Sequence, residues 1–273
     1  MKTKPNPKPA ACFDAIKAIF YVLCFALIFC SQNTWAQIFN INTINCHLSA
    51  DDIATLNRMG KFEANFYNQV FKTQKNDSVT VDINLYGRHG EYNKVQKDEM
   101  NTTFIDGFYS PMQNKIFIYK NDQFMNTLFH ETSHNILRYN YPNAPKWLNE
   151  GIATLLGYLV ETNDHRVLYM PQVLYVRQLR DSIRANRFDM NNFFRYKNSD
   201  WLVEAKRPML YATSYCIVYF LINQEDKDYL APILVLMKKG YSTYNAFKTA
   251  FGSVENFQRQ FYDFYTRGPG ISL

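Results

Sequence analysis

Between Ser49 and about Lys72 apolar residues recur every three or four positions, with Ile53, Leu56, Met59, Phe62, Phe66, Val70 and Phe71 on one stripe. That is the period of an amphipathic helix. Ser49 followed three positions later by Asp52 supplies a capping box at its start. After a polar break at 75–78, Val79, Val81, Ile83 and Leu85 alternate with Thr80, Asp82 and Asn84, as a half-buried strand does. Gly87 and Gly90 end it, and residues 91–101 read as a charged connection. Residues 102–109 and 115–120 predict two further strands, joined by a turn at 110–114.

From Asp122 the period becomes helical and stays so. Helices are expected over 122–139, 146–161, 171–185, 208–223, 228–239, 243–251 and 253–266, punctuated by Pro142, Pro145, Pro171, Pro208 and Gly240. No internal repeat is present. Strands first and helices afterwards predict an α+β fold, with a small β-sheet upper lobe over a mainly helical lower lobe and a cleft between them.

The first 36 residues have a different pattern. Lys2, Lys4, Lys8 and Lys17 lead into an apolar run from Ile16 to Cys30, and Ser31, Gln32 and Asn33 break it before Thr34, Trp35 and Ala36. This is the order of a secretory signal, with cleavage expected after Ala36. The run falls short of the roughly 20 residues a spanning helix needs, so no stable membrane insertion is expected after its removal. Phe29, where a lipidation site wants a small residue, argues against an acylated Cys30. Residues 37–273 are then the working domain, in the periplasm or outside the cell.

Removal of that segment changes the bulk figures. The 273-residue chain carries +6 and five cysteines; residues 37–273 carry 26 basic and 23 acidic side chains, a charge of +3, and keep only Cys46 and Cys216. Those two either form one disulfide or are two buried thiols. With 47% hydrophobic and 20% charged residues the chain is no disordered polyelectrolyte. Its cations are dispersed, with no cluster beyond Lys238-Lys239, so no nucleic-acid partner is expected.

The segment that carries chemistry is His130-Glu131-Thr132-Ser133-His134. Two histidines four apart on a helix point the same way and can share one Zn²⁺, while the intervening Glu sits where a general base is needed. Phe124, Leu128, Phe129, Thr132 and Ile136 form the opposite stripe, which turns the histidines away from the core. A catalytic zinc needs a third donor and an open position. No third His follows on this helix: Leu137 and Asn140 stand at the positions where the longer zinc-protease pattern has Gly and His. Glu150, in Pro145-Lys146-Trp147-Leu148-Asn149-Glu150-Gly151-Ile152-Ala153, is the next candidate, because Pro142 and Pro145 turn the chain and an antiparallel second helix returns it to the His pair.

On these residues the sequence resembles the gluzincins, zinc peptidases with a Glu ligand on a second helix, and within them the aminopeptidase-N-like branch and the small peptidase-MA-like or minigluzincin domains. The resemblance covers about residues 102–223. It implies a zincin-like fold, Zn²⁺ bound by His130, His134 and Glu150, Glu131 as catalytic base, and an oxyanion-stabilising Tyr. Tyr211 matches that position, with Tyr215 one turn later as the fallback. Residues 107–118 resemble the family's edge strand, implying a peptide or protein substrate held by strand addition. Thr154 stands where thermolysin-like enzymes have an Asp supporting the ligand His. Pro111-Met112-Gln113-Asn114 lacks the Glu with which aminopeptidases hold a free amine, favouring an endopeptidase. The alternative is an inactive gluzincin-fold binding or scaffold protein, disfavoured by an intact Glu131. Default roles for His47, His89 and His165 are in loops or solvent.

Overall fold

Phe39–Ile44 forms the first strand, β1, in a computed structural model that describes residues 39–103, 105–223 and 228–267. Helix α1 (Ala50–Phe71) follows, and its capping box is made: the Asp52 N–H donates to Ser49 Oγ at 3.0 Å and the Ser49 N–H donates to the Asp52 carboxylate at 2.9 Å. Then come β2 (Val81–Tyr86), α2 (His89–Met100), β3 (Gly107–Ser110), β4 (Lys115–Tyr119), α3 (Phe124–Asn140) and α4 (Lys146–Leu156). A hairpin of β5 (Leu159–Glu161) and β6 (Val167–Tyr169) precedes α5 (Val173–Arg184), α6 (Met190–Phe193), α7 (Arg207–Ile222), α8 (Leu230–Lys238), α9 (Thr243–Phe251) and α10 (Val254–Thr266). The secretory-signal reading of residues 1–36 lies outside the described residues.

The architecture is α+β, mainly helical with one small mixed sheet. Strand order is β1-β2-β4-β3. The first three run parallel, with Ile41 opposite Ile83 and Ile83 opposite Ile116, and β3 is antiparallel to β4 at the edge. Val81, Ile83, Leu85, Ile116 and Ile118 point into the main core with Leu56, Leu128 and Phe129, from α1 and α3. Tyr86, Phe108 and Phe117 meet Tyr92 of α2 in a second, smaller cluster. A sheet apolar on both faces needs helices on both sides.

Three sequence expectations change here. Strands and helices are interleaved in the first half, because parallel neighbours need a crossover, and α1 is the crossover from β1 to β2. β1 and α1, ahead of the expected strands, contribute to the main core. Residues 91–101 are not a loop but most of α2; only Tyr92 and Gln96 are buried there, one turn apart, so its apolar stripe is too thin to read. The helix expected to reach 161 ends at Leu156, and β5 begins at Leu159. Gly157 follows the last residue of the helix, where there is little room for a side chain: a Cβ there would lie 3.1 Å from both the Ala153 oxygen and the His130 Cβ.

Cys46 and Cys216 are unpaired, the first donating to the Leu85 carbonyl and the second buried. Among the described residues no helix is long and apolar enough to cross a membrane.

Candidate metal centre

Helix α3 crosses the core with Phe124, Leu128, Phe129, Thr132 and Ile136 buried, and its C-terminus stops where the Asn140 side chain donates to the Ile136 carbonyl ahead of Pro142. Pro145 immediately precedes α4, whose extended φ/ψ at that residue redirects the chain. Nearly every residue of α4 is buried, so it fills the space between α3 and α7. Gly151 allows the closest approach: a Cβ there would lie 2.6 Å from the Ser214 carbonyl oxygen of α7.

That packing gathers His130, His134 and Glu150. Their nearest ligand atoms all lie within 4.8 Å of one another, and Glu150 Oε2 is 3.7 Å from His130 Nε2 and 3.9 Å from His134 Nε2. Glu150 Oε2 is buried and has no hydrogen-bond partner. A buried carboxylate oxygen without a donor costs several kcal/mol, roughly, unless a cation meets it. Two imidazole nitrogens and one carboxylate oxygen converging on one point are a zinc-type donor set. The residues therefore fit a bound divalent metal.

The two rings are backed by groups of the second helix. Asn149 Oδ1 lies 3.0 Å from His134 Nδ1, and the Ala153 backbone beside the His130 ring favours its protonated form. The Asn149 oxygen puts the His134 proton on Nδ1 and leaves its Nε2 free to ligate. Thr154 offers no acid here, and the partner of the His134 ring is the Asn149 side-chain amide. Lys146, one turn before Glu150, sits 2.6 Å from its other oxygen, Oε1. Burial raises the Glu150 pKa, but His134, Lys146 and His130 outweigh it and hold the carboxyl below its usual range. Burial and then His134 push His130 down, so its ring is neutral at pH 7.

Glu131 projects from the same helix toward the edge strand. Its Oε2 accepts from the outward-facing Tyr109 N–H of β3 at 2.9 Å. Burial pushes its pKa up, opposed by His134 and that N–H. Tyr211, on α7, stands against Glu150; burial first, then the Glu150 charge, raise its phenol well above the ordinary range, so it remains a proton donor. Tyr215 is fully buried and its hydroxyl accepts from the Gln172 N–H at 2.9 Å, so it is a packing residue. His89 and His165 are tied up locally, with Tyr119 and with Glu161. Trp147 donates to Thr243 and packs on Phe247 at the helix junction.

Beneath the site, Thr132 Oγ1 donates to Glu63 at 2.6 Å and Tyr67 pairs with Ser133, tying α1 to α3. The sequence reading missed Asn149, Lys146, the Tyr109 N–H and Glu63. Two had a signal: Lys146 is i−4 from Glu150, and Glu63 is an acid inside an apolar stripe. The others act through a backbone group or a ring partner that only the fold selects.

No protein-family model matches the sequence, and no curated protein matches it.

Proposed function

We propose that this chain is an exported zinc-dependent peptidase with a zincin-like catalytic arrangement, hydrolysing internal peptide bonds of peptide or protein substrates. One observation carries the reading: an orphaned, buried Glu150 oxygen faces the free nitrogens of His130 and His134, with Glu131 on the same helix. His130, His134 and Glu150 would hold the metal. Bound zinc would supply the Lewis acidity that brings the pKa of water toward about 7 and polarises a carbonyl.

The chain's own groups do the rest. Glu131, raised by burial and steadied by the Tyr109 N–H, takes a proton from water and returns it to the leaving amine. The Tyr211 hydroxyl, kept protonated by its surroundings, donates to the oxyanion as charge develops. Edge strand β3 has no strand on its outer side, where an extended peptide can align alongside the Tyr109 N–H that holds Glu131. The turn at 111–114, with no acid in it, leaves a substrate amine without a counter-charge, in keeping with endopeptidase action. Glu131→Gln tests this: peptide-library cleavage should fall at least about a thousandfold while zinc content stays at one per chain. Wild-type cleavage by that variant would rule the mechanism out, and zinc binding without cleavage by the wild type would favour the scaffold alternative.

A further inference from the structure

Beside the metal centre lies a cleft of about 250 Å³, walled by Tyr109 of β3, His134, Arg138 and Tyr141 from the end of α3, and Lys146 and Asn149 from α4. It reaches the ligand His134 directly. A second depression shares Tyr109, Arg138 and Pro142 with it, so Arg138 stands at the junction of the two.

The charges along this cleft are all of one sign. Arg138 and Lys146 line it, and no Asp or Glu does. Lys146 is already engaged by Glu150. Arg138 is exposed, forms no ion pair among the described residues, and lines both depressions together with Tyr109, whose backbone N–H holds Glu131. An Arg near a helix C-terminus has an ordinary role in offsetting the helix dipole. That role does not account for its position in a cleft that opens on a ligand histidine, or for the absence of any acid along the walls.

We infer that Arg138 selects substrates carrying a carboxylate next to the scissile bond. The inference rests on the peptidase reading and names its substrate class. The guanidinium fork donates two parallel hydrogen bonds to a carboxylate, and Lys146 adds long-range attraction without leaving Glu150. The carboxylate is either an acidic side chain or the free end of a peptide, since the chemistry is the same.

The test pairs peptides that differ only in Glu against Gln beside the cleavage site, and only in a free against an amidated C-terminus. Binding is measured by calorimetry on the zinc-loaded Glu131→Gln chain, and cleavage on the wild type. The acidic member of one pair should be favoured about five- to tenfold in both measurements, the preference narrowing as salt is raised. Arg138→Gln should bring the ratio to near one. Preference within the Glu/Gln pair identifies a side-chain carboxylate; preference within the free/amidated pair identifies a terminal one. Cleavage with ratios near one, or a preference that survives Arg138→Gln, overturns this inference alone. Preferential binding with no cleavage by the wild type overturns the peptidase reading alone, and neither binding nor cleavage overturns both.

Discussion

Asn149 and Glu63 are the residues whose roles the chain order hides best. Asn149 precedes Glu150 on the same helix turn, yet its amide serves the other helix, holding His134 by Nδ1. Asn149→Ala should weaken zinc binding by about 10- to 100-fold in a chelator competition, with little loss of fold. Affinity equal to wild type would mean the ring is oriented by other contacts. Glu63 is fully buried; Thr132 donates to one oxygen, and the other has no partner. Burial pushes its pKa up to about 8. Between its unfolded value near 4.5 and about 8 the folded chain keeps a proton that the unfolded chain has released, so Glu63 lowers stability progressively as pH rises through that window. Glu63→Gln should match wild type near pH 4 and exceed it by a few kcal/mol, roughly, above pH 8 in chemical denaturation. A constant difference across pH would refute the buried-acid assignment.

Among the elements, α4 decides the geometry. It carries Glu150 toward α3, Asn149 behind His134, and Gly151 against α7, where Tyr211 lies. An added methyl at 151 would sit 2.6 Å from the Ser214 oxygen and 2.8 Å from Val218 Cγ2, and a helix backbone cannot yield cheaply. Gly151→Ala should cost about 1–3 kcal/mol and move Tyr211 away from Glu150. The checks are a lowered Tm and reduced turnover in the same variant; an unchanged Tm would show that the helices separate freely. Elements with dense patterns were legible: α1, α3, α7, α9 and α10 lie within a few residues of their expected bounds, because each has a wide apolar face. The hairpin β5–β6 was not, since three residues per strand are too few to display an alternation. It is fixed by pairing and by Arg58 reaching Glu161 from α1 at 2.6 Å.

At the scale of the molecule, the site is the meeting of the sheet's edge with two core helices. β3 presents the Tyr109 N–H from above, α3 and α4 present the donors, and α1 braces α3 from below. Because His130, His134 and Glu150 come from two helices of the core, a metal bound between them should register as global stability. Zinc at about one hundred times its Kd should add roughly 3 kcal/mol, lost on chelation. A Tm indifferent to chelator would mean that these residues hold no metal in the folded chain.

Sequence alone determined the helix spacing of His130, Glu131 and His134, the two prolines that return the chain, and the α+β class, because those are local patterns of period and turn chemistry. It also singled out Glu150 and Tyr211 as candidates. Only the tertiary structure decided that Glu150 is left with an unpartnered oxygen between two imidazoles, that Asn149 orients His134, and that Tyr211 rather than Tyr215 stands against Glu150. Those facts depend on how closely α3, α4 and α7 pack, a distance set by glycines and buried volumes far apart in the chain, which no local period encodes.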